Sequence, residues 1–173
     1  FGQQDLGGFQ TNTLTGSEDD RETTTARLQA LWDLDETLTV RAYLQFNQQT
    51  QDANLQRSLA LGTEDGLITP VQSRPGLQVF DNGDLRDYPI TFDGGSKYDT
   101  WLSYLRIEKE FDSFSFVSLS SYIDGEGSSL SDFDGTEADL GLQRFDEDYG
   151  TFSQEFRFLG DNWVAGGFFY NDD

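Results

Sequence analysis

Cysteine, histidine and methionine are all missing from this 173-residue chain, and proline occurs only three times. Without cysteine there is no disulfide framework and no thiol chemistry, and the redox compartment is left open. Without histidine as well, a zinc centre, a Cys/His or Ser/His nucleophile system and a histidine general base are excluded. Bases are scarce too: 11 Lys and Arg stand against 32 Asp and Glu, a formal net charge of −21. Phosphate binding needs clustered Lys and Arg, so the balance argues against a nucleic-acid partner. It argues equally against electrostatic docking on an anionic membrane surface. No apolar run approaches the roughly 18 residues of a transmembrane helix, and no signal-peptide pattern is present. Position 1 is Phe rather than Met, so a mature form or an internal fragment is expected.

What remains is aromatic and periodic. Hydrophobic residues are only 35% of the chain, yet 15 Phe and 7 Tyr lift the aromatic share to 14%. Disordered acidic chains are poor in aromatics, so an ordered sheet with one apolar face is expected. The clearest stretch is Tyr149 to Tyr170. There Phe152, Gln154, Phe156 and Phe158 take one phase, and Ser153, Glu155 and Arg157 the other, which is the period of a β-strand. After Gly160, Asp161 and Asn162 a second run starts at Trp163, so the pair reads as an antiparallel hairpin.

The same period recurs earlier. Thr24, Ala26, Leu28, Ala30 and Trp32 alternate with Thr25, Arg27 and Gln29. After a turn at Asp33 to Glu36, Leu38, Val40, Ala42, Leu44 and Phe46 alternate with Thr39, Arg41, Tyr43, Gln45 and Asn47. Leu105, Ile107 and Phe111 alternate with Arg106, Glu108 and Glu110. Asp112 and Ser113 form a turn, and Val117 and Leu119 then alternate with Ser118, Ser120 and Tyr122. A weaker strand is expected from Leu6 to Thr13, where Gly7 and Gly8 count against it. Residues 48–98 and 124–148 show no sustained period and read as long acidic loops; the first holds all three prolines, with short pieces such as Leu77 to Phe80 pairing locally.

Three hairpins with short turns at one end and long loops at the other are the pattern of an outer-membrane barrel. Strands of about ten residues match the length that crosses a bilayer at barrel tilt. Trp32, Trp101, Trp163, Phe46, Tyr104, Phe114 and Tyr170 fall near strand ends, as an aromatic girdle requires. The expected fold is therefore all-β: an antiparallel transmembrane β-barrel, present in part, with about six or seven strands.

The segments TWLSYLRIEKEFDSFSFVSLSSYIDGEGSSLSDFDGT and QRFDEDYGTFSQEFRFLGDNWVAGGFFYNDD, and less closely NTLTGSEDDRETTTARLQALWDLDETLTVRAYLQF, resemble the barrel of TonB-dependent outer-membrane receptors. The resemblance runs from about residue 8 and fades in the first long loop. It implies that residues 1–173 are part of a barrel of about 22 strands, with no plug domain or TonB-contacting segment among them. It also implies a bacterial outer-membrane location and import of a scarce nutrient such as a ferric siderophore, cobalamin or an oligosaccharide. The implied partners are outer-membrane lipid and lipopolysaccharide, the TonB system acting through the plug, and the imported substrate. No covalent chemistry, and so no enzyme, and no cofactor is implied. A complete small barrel of structural or adhesive role, and a soluble secreted β-sandwich binding carbohydrate, are the alternatives.

No catalytic, cofactor or metal residue is assigned, and the substrate-binding residues are unknown. Asp132, Asp134 and Gly135, with Glu137 and Asp139, could offer oxygen ligands to calcium, but the spacing of a twelve-residue calcium loop is absent. Solvated loop carboxylates are the preferred reading there, and for Asp81, Asp84 and Asp87. Arg27, Arg41, Arg106 and Arg157, with Glu108 and Glu155, lie opposite the apolar phase. They are expected to form cross-strand ion pairs that hold register, or a charged lumen that meets a plug or substrate.

Overall fold

The computed structural model describes residues 1–56, 84–137 and 139–173. Its strands are β1 (Gly2–Leu6), β2 (Thr11–Asn12), β3 (Arg21–Asp35), β4 (Leu38–Gln51), β5 (Asp87–Tyr88), β6 (Gly95–Phe111), β7 (Phe114–Asp132), β8 (Leu142–Gly160) and β9 (Trp163–Asp172). Seven form one antiparallel sheet in the order β1-β3-β4-β6-β7-β8-β9, and β2 pairs with β5 in a separate parallel ribbon. The sheet is open. Among the described residues β1 and β9 lie at its two edges and do not pair, so the described strands do not close into a barrel.

The three tight turns, at residues 36–37, 112–113 and 161–162, all join strands at one end. The longer connections between β1 and β3, β4 and β6, and β7 and β8 lie at the other. That asymmetry follows the sequence. The weak first strand differs: it lies at Gly2–Leu6, before the glycines, and Thr11–Asn12 joins the ribbon instead. The stretch 124–148 also differs. Residues 124–132 continue β7 and 142–148 begin β8, so only 133–141 connect them. β4 likewise runs on to Gln51 and β6 begins at Gly95, inside the expected first loop. Leu77 to Phe80 and Asp81 lie outside the described residues.

Register sorts the side chains, because residues paired across strands share a face. Leu28, Leu44, Ser103, Tyr122 and Phe152 form one row; Trp32, Val40, Ile107, Ser118 and Phe156 form another, four residues along each strand. This apolar face is bounded at one end by Phe46 and Trp101, whose rings lie 4.7 Å apart. At the other end stand Phe111, Phe114 and Trp163, with Phe111 and Phe114 stacked at 4.7 Å. Trp101 and Phe111 are ten residues apart on β6. At about 3.3 Å per residue and a tilt near 40°, the band would stand about 25 Å tall. Beyond Trp101 the same face turns acidic, with Asp99, Glu126 and Asp148 in one row.

Register also corrects four placements. Tyr104 and Tyr170 fall on the opposite, charged face, in the row of Tyr43, Ser121 and Ser153, so neither belongs to the aromatic rim of the band. Val117 and Leu119 also share the charged face, paired with Arg157 and Glu155.

No second layer covers the sheet among the described residues. Val117 is its only buried hydrophobic side chain; the others, Ala53, Leu55 and Ile90, pack with Tyr88 in a small cluster among the long connections. Leu44, Trp101, Leu105, Phe156 and Phe158 on the apolar face are 38–45% exposed. A β-sandwich would bury them against a partner sheet. Leu102, Leu119 and Ile123 on the charged face are more sheltered.

Candidate functional site

The charged face carries the residues singled out from the sequence, and each sits where the alternation puts it. Their partners are not the expected ones. Arg106 bonds Glu108 at 2.9 Å and Arg157 bonds Glu155 at 2.7 Å, each pair two residues apart on one strand. Arg144–Asp146 and Lys97–Asp99 repeat the pattern at 2.6 Å. Among the described ion pairs only Lys109–Asp35, at 3.3 Å, joins different strands. The reason is register: Arg106 lies between Arg41 and Leu119, and Arg157 between Val117 and Gly166, so the nearest carboxylate is on the same strand.

Neutral groups do the cross-strand pairing instead. Arg27 donates to Gln45 Oε1 from Nε and Nη2 at 3.2 and 3.0 Å, and its guanidinium lies 5.7 Å from the Tyr43 ring centroid. Thr25 Oγ1 donates to Asn47 at 2.8 Å, and the hydroxyls of Ser121 and Ser153 meet at 2.6 Å. Tyr43 and Tyr104 stack at 5.0 Å with their planes 5° apart. Each such contact contributes about 0.2–1 kcal/mol, and together they favour one register.

Two of the acidic residues at the β7–β8 connection, Asp132 and Asp134, bind the chain around them. Asp132 is not solvated: it is 1% exposed. Its Oδ1 accepts the backbone N–H groups of Asp134 and Gly135 at 3.0 and 2.9 Å, and its Oδ2 accepts from Thr91 Oγ1 at 2.9 Å. Gly135 has φ +61°, a left-handed conformation that glycine adopts without a steric penalty. Asp134 accepts from the N–H groups of Thr136 and Leu140 at 3.0 and 3.3 Å. These carboxylates organise a tight loop by side-chain to backbone bonds. Glu137 and Asp139 are exposed, Asp84 pairs with Arg86 at 3.2 Å, and Asp87 sits on β5. Among the described residues no three acidic side chains are grouped so that they could hold a metal ion.

A knot of polar contacts that the sequence did not disclose ties residues 12–17 to residues 88–93. Asn12, fully buried, donates to the Ile90 carbonyl at 2.9 Å and to Asp93 Oδ1 at 2.7 Å. Thr15 and Ser17 hydroxyls donate to the same carboxylate at 2.7 and 2.8 Å. Burial works against the charged form of Asp93, but the bonds from Thr15, Ser17 and Asn12 outweigh it and hold the pKa below the ordinary value. Asp93 also lines an open cleft of about 500 Å³, with Glu18, Asp20 and Asp52 on its walls. Nothing local in sequence links Asn12 to Asp93, which lie 81 residues apart.

Comparison with known proteins finds no matching family model, no matching curated protein and no matching solved structure.

Proposed function

We propose that this chain is part of the transmembrane β-barrel of a TonB-dependent receptor in a bacterial outer membrane. The observation that carries the reading is the sheet's division into an apolar band edged with aromatics and a charged face, with every long connection at one end. A water-soluble protein rarely exposes so large a continuous apolar surface, whereas lipid covers one. In hydrocarbon every backbone group needs an internal partner, so the open edges at β3 and β9 call for further strands. That favours a segment of a larger barrel over a complete small one.

On this reading the apolar face meets lipid, and the acidic extensions of β6, β7 and β8 rise among lipopolysaccharide headgroups. The charged face lines the lumen. The plug, the TonB contact and the imported ferric siderophore, cobalamin or oligosaccharide follow from the resemblance alone. The barrel strands would present the connecting loops to substrate and perform no covalent step. Fractionation of cells producing the protein, followed by uptake assays with labelled members of those three substrate classes, tests the proposal. Outer-membrane fractionation and an energy-dependent uptake that disappears on deletion are expected. Recovery in the soluble fraction without detergent would sink it.

A further inference from the structure

The register sets Arg41 directly opposite Arg106. Like charges so placed destabilise a sheet, and composition does not force the arrangement, since 32 acids were available for 11 bases. Of the nine described cations, eight have a polar or ionic partner within the chain. Arg41 has none among the described residues, and it is exposed. Arg106 commits one nitrogen to Glu108. In the adjoining row of the same face, two residues along each strand, the rings of Tyr43 and Tyr104 stack on one another.

We infer that Arg41 and Arg106 form a receptor for a carboxylate. A guanidinium presents a planar fork that matches the two carboxylate oxygens, and two forks on neighbouring strands can hold one carboxylate between them. A monoanion suits the place better than a phosphate, because Glu108 beside Arg106 repels every additional negative charge. The like-charge pair, a liability in the empty sheet, becomes favourable once the anion neutralises it. The carboxylate can belong to a dissolved ligand or to another part of the same polypeptide; the recognition chemistry is the same. This goes beyond the proposed membrane function, since the register and the face hold whether lipid or water lies behind the sheet.

The test is NMR of the arginine Nε–Hε groups of the folded protein, titrated with sodium benzoate against sodium chloride of equal ionic strength. The Arg41 and Arg106 signals are expected to move along one saturable curve while those of Arg144 and Arg157 stay still. Arg41→Gln should weaken binding at least tenfold. Arg41→Lys, which keeps the charge and loses the fork, should recover only part of it. Far-UV circular dichroism of both variants checks that the sheet persists. If the two signals are shifted before benzoate is added, stay put during titration, and the Arg106 signal returns to a free position in Arg41→Gln, the carboxylate is the protein's own and the proposal stands. Signals unshifted throughout, or moving in proportion with every other arginine, would overturn it.

Discussion

Phe156 offers a direct measurement of what lies against the apolar face. It stands midway along the Phe152–Gly160 part of β8, pairs with Ser118 and Gly167, and stacks on Phe116 with ring centroids 6.1 Å apart. Its side is 43% exposed in the open sheet. In water, Phe156→Arg would therefore forfeit one aromatic contact and part of a half-buried ring, about 1 kcal/mol in all. In a bilayer the guanidinium would enter hydrocarbon near the midplane, at a cost of about 2–4 kcal/mol, to which the lost ring contact adds about 1 kcal/mol. The two settings thus differ by roughly 2–4 kcal/mol.

Two controls isolate depth and face. Asp148→Arg lies on the same face of the same strand but beyond Phe152, where Asp99 and Glu126 share its row. It should be near neutral. Glu155→Gln lies on the charged face and loses an exposed ion pair with Arg157, worth at most about 1 kcal/mol. The assay is reversible urea unfolding in phospholipid vesicles, followed by the fluorescence of Trp101 and Trp163. If Phe156→Arg and Asp148→Arg destabilise the fold equally, the lipid-facing assignment of the band is wrong.

The Asp93 knot makes stability depend on pH. Its folded pKa is below the ordinary 3.8, so the unfolded chain takes up the proton first; the stabilisation is complete above that value and fades as pH falls through the folded one. The Asn12 side-chain amide signals should stay constant from neutral pH down to the ordinary aspartate range and change only as pH falls below it, while Asp93→Asn should remove that step; an unchanged profile in the variant would contradict the assignment. Gly127 faces Tyr98 across β6–β7, and an added Cβ would stand 2.6 Å from Tyr98 Cδ1 and 2.7 Å from Glu147 Oε1. Gly127→Val is accordingly expected to cost about 1–3 kcal/mol by urea unfolding, whereas Gly7→Ala, with open space around the new Cβ, should cost well under 1 kcal/mol.

The phase of β3, β4, β6 and β8 and the turns at 112–113 and 161–162 were legible because one apolar face writes a period of two into the chain; the first turn, expected at Asp33 to Glu36, falls at 36–37 because β3 stays paired as far as Asp35. The upper parts of β7 and β8 were not, because both faces there are polar. In β7, Asp124 and Glu126 alternate with Gly125 and Gly127, a pattern that composition alone reads as loop. What holds those residues extended is pairing: Tyr149 lies over Gly125 and Tyr98 over Gly127, filling the space that glycine leaves. The ion pairs failed for a related reason. Alternation assigns Arg41 and Arg106 to a face, but only register reveals that they oppose each other. The Asn12–Asp93 knot depends on two long connections meeting, and neither contains a periodic signal.

The outer edge of β9 bears most directly on the setting of the whole sheet. Sheets in water blunt their edges with Lys, Pro, bulges or brevity. β9 has ten residues, and its run from Trp163 to Tyr170 holds no charge and no proline. It is also apolar on both sides: Trp163, Ala165 and Phe169 continue the apolar face, while Val164, Phe168 and Tyr170 carry hydrophobic groups onto the charged one. The opposite edge has a similar defect, since β1 covers only Arg21–Thr25 of β3 and leaves the remainder, with Leu28, Leu31 and Trp32 exposed, unpaired. Left in water, such edges would pair with those of other molecules and aggregate. A strand on each side removes the hazard in any solvent, but only in a bilayer is it compulsory for every backbone group. The apolar band and the undefended edges therefore argue for the same environment by separate routes, one through side chains and the other through backbone hydrogen bonds.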